Sequence, residues 1–493
     1  MKKISISAPA QLHERLNSYI KTEDRLNEVV ELTTLQGNLL IENEKILVQP
    51  VWTNDVPPFL FNQDIDLDQN NFLSLVFTRL QNFKKAYQYA QNSVGLLKQI
   101  DILNRLQHGI GINPDEVEGQ KPEYIAFHNH AVISHYGETP FFINAYQVIN
   151  QYQKAMDAAP NELLRAFTGK YLAEFLLDSG ENVKAHHLVK ELREIELPEN
   201  AEMEFLNLEC GILLNKLTVP YDEILLKELE NKLAQTIQYF ESSGDQIQLA
   251  LRLVDASYIS NISENFSESL GYINKAISTF ENEDVPELTA NAQYRKGVLL
   301  YTWAQNGNPQ FYKPAMEAYQ EALKIFTETS TPEVYNEIQH HLGVIYSEIP
   351  SDVKKKSIWA AVSISSFNQS LSFFTPQTHP YEYAMICNSY GNAFTKYPEA
   401  VQSDNFKKAL EYYRKALAIR TAEEYPTERA LTLMNFLEAS WYVGNENEDD
   451  ERILFEEMTH YAKEIKQLTS EERLLADAER HLSKIETLAE NMF

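Results

Sequence analysis

The side chains with chemistry to offer are the histidines, two cysteines and one glycine pair. His128, His130 and His135 fall within one apolar-periodic run, and His128 and His135 share a helical face. Helical zinc sites use His-Glu-x-x-His, or a set completed by carboxylate or thiolate. The spacing here, with no acidic pair beside it, makes no such set. His186-His187 and His340-His341 are neighbours in sequence, so each pair points to different faces of its helix. All of these histidines read as structural. Cys210 and Cys387 lie far apart in helical patterns, without a CxxC spacing and without a local histidine to activate Cys387. Gly109-Ile110-Gly111 is no nucleotide loop, because no buried strand precedes it and no Gly-Lys-Ser/Thr follows. No catalytic constellation, cofactor or metal is expected, and the chain reads as non-enzymatic.

Composition narrows the partners. The 493 residues carry a formal charge of −28. Nucleic-acid phosphates and anionic membranes both require a basic face, so neither is the expected partner. The first residues, Met1-Lys2-Lys3-Ile4-Ser5-Ile6-Ser7, are charged but lack the apolar core of a signal peptide. No run reaches membrane-spanning length. A soluble, cytoplasmic protein is the expectation. Glycine is scarce at 16 residues while tyrosine (27) and phenylalanine (24) are abundant, which suits packed helices with aromatic wedges.

The elements that would position any site repeat between Pro286 and Trp441. Pro286, Pro332, Pro380 and Pro426 each open an apolar, helix-spaced run, at intervals of 46, 48 and 46 residues. Proline loses nothing at the first helical position, where its missing N–H would be unpaired anyway. Glu287, Glu333, Glu382 and Glu428 follow within two residues, where a helix N-terminus favours negative charge. Gly297, Gly343 and Gly391 recur eleven residues after the first three prolines, and Leu437 takes that place after the fourth. A mid-helix glycine costs about 1 kcal/mol relative to alanine, so a periodic one needs a packing reason. The expected reason is a neighbouring helix backbone too close for a Cβ. The second helices carry Ala315-Tyr319-Ala322, Ser363-Phe367-Ser370 and Ala409-Tyr413-Ala416 at matching offsets.

These helix–turn–helix units resemble the tetratricopeptide repeat, with Leu342-Gly343…Tyr346 and Tyr390-Gly391…Phe394 in the first helix and the Ala…Tyr…Ala sets in the second. The family's standard repeat is about 34 residues, so helices or turns are longer here at both ends of the pair. Long repeats of the form Pro380-Tyr381-Glu382-Tyr383-Ala384…Tyr390-Gly391-Asn392-Ala393-Phe394 are similar to those preceding CHAT peptidase domains in bacterial proteins. The resemblance implies an all-α fold, a right-handed solenoid of antiparallel helix pairs with caps at both ends. It covers about a third of the chain closely.

Four regions follow. Residues 1–64 are expected as an N-terminal helical cap, with one or two amphipathic helices from Ala10 to Leu40 (Leu12, Leu16, Ile20, Val29, Leu32, Leu35, Leu39) and a Pro-rich crossing through Val48–Trp52 and Val56–Phe59. A recognition arm is the other reading of that region. Residues 65–285 read as degenerate helix pairs, starting with Leu67–Leu80 against Phe83–Ile100. Residues 286–468 hold the regular long repeats, interrupted by an acidic turn at Asn445–Asp450. Residues 469–493 form a C-terminal capping helix.

In the family, first helices line a concave groove. Carried onto this sequence, the groove positions are Asn291, Tyr294, Val298 and Tyr301; Glu337, His340, Val344 and Ser347; Met385, Asn388, Asn392 and Thr395; and Leu431, Met434, Glu438 and Trp441. Asn392 and Asn435 resemble the family's pair that holds an extended peptide backbone, since an amide donates and accepts at once. Asn388 and Met385 stand where the chaperone-tail version needs Lys or Arg, which argues against that ligand. The expected partner-binding residues are Tyr294, Tyr301, His340, Asn388, Asn392, Asn435, Glu438 and Trp441. The expected partner is a peptide segment or protein surface, and by the CHAT likeness a separately encoded effector or peptidase. The alternative is a peptide-sensing regulator whose solenoid changes shape on binding.

Overall fold

The computed structural model describes residues 4–34, 37–52, 57–62, 65–218, 221–350, 352–399, 404–444 and 448–492. Met1 to Lys3, Leu35, Val56 and the first part of the acidic turn, Asn445 to Asn447, lie outside them. Among the described residues the chain has 22 α-helices; α1 and α2 lie among the strands of a small N-terminal sheet, and the 20 that follow pack in tandem as an α-solenoid. No described helix is long and apolar enough to cross a membrane. The chain divides into two compact units, residues 1–239 and 240–493.

The first unit opens with β1 (Ile4–Ser7), α1 (His13–Ile20), α2 (Leu26–Val29), β2 (Val30–Thr33), β3 (Leu39–Glu42), β4 (Lys45–Val48) and β5 (Ile65–Asp66). The strands form one sheet in the order β2-β1-β3-β4-β5, with β1 parallel to β2 and β3 and the last two pairings antiparallel. This corrects the helical cap. Only Leu12, Leu16 and Ile20 of the apolar series lie on or beside a helix of two turns, while Leu32 and Leu39 sit in strands. The physical reason is period. Ile4-Ser5-Ile6-Ser7 alternates with a step of two, and Ile4 and Ile6 are buried. Asn43 and Glu44 both take positive φ, which makes the tight β3–β4 hairpin. Gly37 lies against β1, where a Cβ would come within 2.7 Å of the Ser5 carbonyl oxygen.

Helices follow: α3 (Gln69–Arg79), α4 (Phe83–Ala90), α5 (Val94–Gln107), α6 (Glu123–Tyr136), α7 (Ala145–Asp157), α8 (Glu162–Asp178), α9 (Asn182–Leu192) and α10 (Glu199–Leu214). The expected single helix Phe83–Ile100 is broken at Gln91–Ser93, a polar run that ends α4 and starts α5. Helix α11 (Glu223–Ser243) carries the chain into the second unit.

The second unit holds five antiparallel pairs and a final helix. The first helices are α12 (Gln246–Ile262), α14 (Pro286–Gln305), α16 (Pro332–Glu348), α18 (Pro380–Phe394) and α20 (Pro426–Ser440). Their partners are α13 (Phe266–Asn282), α15 (Tyr312–Ala322), α17 (Val353–Phe373), α19 (Asn405–Leu417) and α21 (Glu448–Leu468), and α22 (Glu472–Met492) ends the chain. The four prolines stand at the helix starts as their chemistry requires.

The periodic glycines meet a ring, not a backbone. A Cβ on Gly297 would lie 2.6 Å from Tyr319, one on Gly343 would lie 3.0 Å from Phe367, and one on Gly391 would lie 2.4 Å from Tyr413. In these three pairs the ring of the second helix therefore packs against the first helix where any side chain would crowd it. Where Leu437 replaces the glycine, Thr459 stands at the aromatic offset. The second-helix small residues Ala315, Ala322, Ser363, Ser370, Ala409 and Ala416 are all fully buried.

Candidate functional site

In the first unit the chain's own extended segment after β4 packs against α3, α5, α6 and α8. Its backbone is gripped by side chains from four helices. Arg79 on α3 donates to the Gln49 carbonyl at 2.7 Å. Lys170 on α8 donates to the Trp52 carbonyl at 2.8 Å. The His128 imidazole on α6 lies 2.6 Å from the Pro58 carbonyl. Asn129 accepts from Leu60 N at 2.8 Å and donates to Leu60 O at 2.7 Å. Gln99 on α5 accepts from Asn62 N at 2.7 Å. Trp52, Phe59, Leu60 and Phe61 are buried with it. Lys170, fully buried, is balanced by Glu204 at 3.1 Å and Glu174 at 3.3 Å. Burial lowers the His128 pKa to about 4, so the ring is neutral at pH 7. This segment is the Pro-rich crossing expected from sequence, and the histidine of the supposed metal face is one of its anchors.

In the second unit the face of α12, α14, α16, α18 and α20 carries the sequence-derived positions, and successive first helices bond across it. Trp303 Nε1 donates to Asn261 Oδ1 at 2.9 Å. Tyr294 donates to Glu337 Oε1 at 2.7 Å. Lys396 pairs with Glu348. Asn435 Nδ2 donates to Asn388 Oδ1 at 3.1 Å. Trp441 Nε1 donates to His481 Nδ1 on α22 at 2.8 Å, with the two rings stacked. The structure thus brings Asn388 and Asn435 together. It sets Asn392 apart from them, because Asn392 Oδ1 accepts from Tyr413 within its own helix pair at 2.7 Å.

Tyr301 is half-buried, stacked on His341. Glu438 and Leu431 are exposed. His340 is only 5% exposed and packs toward Phe367, away from any surface a partner could touch. Neither of its ring nitrogens has a hydrogen-bond partner, and burial lowers its pKa to about 3. All of the expected partner-binding side chains except Glu438 therefore serve the packing between helices as well.

Arg252 on α12 pairs with Asp255 at 2.8 Å and Arg295 on α14 is exposed; none of the three was among the sequence-derived positions. His130, read as structural from the sequence, lines a cleft of about 470 Å3 with Asp115, Ser134, Phe141 and Tyr146, which the sequence did not mark. His130 Nε2 lies 3.6 Å from Asp115 Oδ1 and its Nδ1 lies 3.4 Å from Ser134 Oγ. The Ser134 hydroxyl gives its proton to the His130 carbonyl at 2.8 Å, a bond within its own helix, so the trio does not activate a nucleophile. Cys387 is buried and its thiol pKa rises to about 11, which keeps it protonated. Among the described residues no group of His, Cys, Asp and Glu could hold a metal ion.

No family model and no curated protein matches the chain. Among solved structures, the apo form of RapI aligns over 70% of this chain and 95% of its own, at 11% identity and a TM-score of 0.47. Cut9, in the APC/C hetero-tetramer Cut9–Hcn1, aligns over 85% and 83%, at 12% identity and a TM-score of 0.36. Yeast Tom70 aligns over 85% and 87%, at 12% identity and a TM-score of 0.31. At these scores the likenesses carry no argument about what this chain binds.

Proposed function

We propose that this chain is a non-catalytic interaction scaffold, or adaptor, whose second unit binds an extended segment of a partner protein across the face of α12, α14, α16, α18 and α20. The observation that carries the reading is the first unit's treatment of its own chain. There, side chains on α3, α5, α6 and α8 hold an extended backbone through its amides and carbonyls, with Asn129 using both ends of its amide on Leu60. The second unit presents the same kind of groups, with no occupant among the described residues: the Asn388–Asn435 amide pair, half-buried Tyr294 and Tyr301, and exposed Leu431 and Glu438. An amide pair has further donors and acceptors to offer a peptide backbone. A separately encoded effector or peptidase as the partner is implied by the CHAT likeness alone.

The test compares wild type with Leu431→Arg/Glu438→Arg, two exposed positions that leave the packing intact. Proteins captured from lysate by wild type and lost by the variant are cut to overlapping synthetic peptides. One linear peptide that competes for capture supports the reading. Equal capture by a variant with unchanged circular dichroism overturns it. A peptide that binds and also alters the small-angle scattering profile moves the assignment to a peptide-responsive regulator.

A further inference from the structure

We infer that the cleft lined by the short turn Pro114–Val117, α6 and the start of α7 is a binding site for an alkylammonium, a primary amine cation on an apolar stem. The site lies in the first unit and does not depend on the peptide face of the second. The cleft holds about 470 Å3, within the range of about 300–1,000 Å3 usual for small-ligand pockets. Among the described residues that line it, Asp115 is the one carboxylate and none is a lysine or arginine. Arg105 does not answer that charge, because it is paired with Glu116 of the same turn, its Nη1 donating to Oε1 at 3.1 Å. Glu118 adds its own negative field at His130.

Local bonds fix where the acceptors stand. Asp115 N donates to Asn113 Oδ1 at 3.0 Å and Asn113 N donates to Glu116 Oε1 at 3.1 Å, which sets the turn and leaves the Asp115 side chain 58% exposed. His130 and Ser134 stand one helical turn apart on α6. Ser134 has one proton and gives it to the His130 carbonyl, so its oxygen accepts toward His130 Nδ1 at 3.4 Å. Burial lowers the His130 pKa against the pull of Asp115, so the ring is neutral at pH 7, with its one proton on Nδ1. Nε2 then presents a lone pair to Asp115 Oδ1 at 3.6 Å, too far for a hydrogen bond between them. Two acceptors in one cleft call for a cationic donor, and an ammonium carries three donors and no acceptor. Half-buried Asn150 and Gln151 line the same cleft and offer amide oxygens to the third donor. Phe141, 50% exposed, and Tyr146, 76% exposed, supply rings to the alkyl stem and to the cation itself.

The ammonium has two sources, a lysine side chain of a peptide or a free small amine. The probe is dansylcadaverine, a fluorophore joined to an alkylamine, titrated with the full chain at physiological salt and read by fluorescence polarisation beside the same compound acetylated on its amine. The amine should bind about 10-fold more tightly than the acetylated form, the size of one charge-assisted hydrogen bond. Asp115→Asn keeps both backbone bonds of the turn. It should erase that preference and leave the affinity of the acetylated form unchanged, which shows the cleft intact. Diffuse attraction to a chain of formal charge −28 would survive the loss of one of its 71 carboxylates, so this variant separates the site from the overall field. Nα-acetyl-lysine methylamide and diaminobutane then compete for the probe, and the one that displaces it at the lower concentration identifies the source. If neither form binds wild type, if the two bind alike, if Asp115→Asn keeps the preference, or if neither competitor displaces the probe, the site falls.

Discussion

The ring of Tyr413 lies so close to Gly391 that a Cβ there would come within 2.4 Å of it, while the Tyr413 hydroxyl donates to Asn392 Oδ1 one residue further on. One side chain thus explains both the periodic glycine and the neighbouring asparagine of the third long repeat. Gly391→Ala should destabilise the second unit by about 1–3 kcal/mol, although alanine favours a helix by about 1 kcal/mol, because a ring only 1% exposed has nowhere to move. Urea unfolding measures this, and Tyr413→Leu should remove most of the added cost in a double-mutant cycle. A stabilising Gly391→Ala would refute the packing account.

His340 is buried with both ring nitrogens unpaired. An unsatisfied buried polar group costs about 1–3 kcal/mol, so His340→Leu should raise stability at pH 7 by about 1 kcal/mol after its own repacking cost. Thermal unfolding reads the change. A large loss would mean that the imidazole has a partner in solution.

Acid should weaken the fold through four histidines, His128 and His340 buried and His135 and His341 half-buried. Burial lowers His128, His135 and His341 to about 4 and His340 to about 3, below their ordinary value of 6.5. Each is neutral in the folded chain and binds a proton on unfolding once the pH is below 6.5. Their contribution is therefore fully present above pH 6.5 and is lost as the pH falls toward 4, at up to about 1.4 kcal/mol per pH unit for each group. Unfolding free energy measured from pH 7.5 to 5 should show this slope, and it should be shallower in His340→Leu. A flat profile would count against the burial of these rings.

Lys170 is, with Arg79, a charged anchor of the extended segment. Lys170→Met leaves Glu204, itself 3% exposed, without its cation, and it frees the Trp52 carbonyl. The expected loss is about 3–5 kcal/mol in urea unfolding, and Lys170→Met/Glu204→Leu should recover part of it. If the single variant unfolds like wild type, the segment is not held by this charge.

The repeat was legible in sequence because helix packing imposes local rules that recur with the unit. Proline and glutamate at the helix start, glycine at one position and an aromatic between two small residues at another give a period that needs no coordinates to read. The sheet of β1 to β5 was not legible, because strands of two to four residues carry too short an alternation to outweigh an overlapping helical spacing. Sequence also marked which residues face the first-helix side. Which of them are free was a tertiary matter, set by residues 21 to 47 positions away. Asn435 reaches Asn388, Trp441 reaches His481, Asn392 is taken by Tyr413 and His340 is enclosed near Phe367. The pairing of His128, Asn129 and Lys170 with a backbone some 70 to 120 residues earlier has no local signature at all. A hydrogen bond to a backbone carbonyl depends on where the chain passes and not on which residue it carries, so only the fold could decide it.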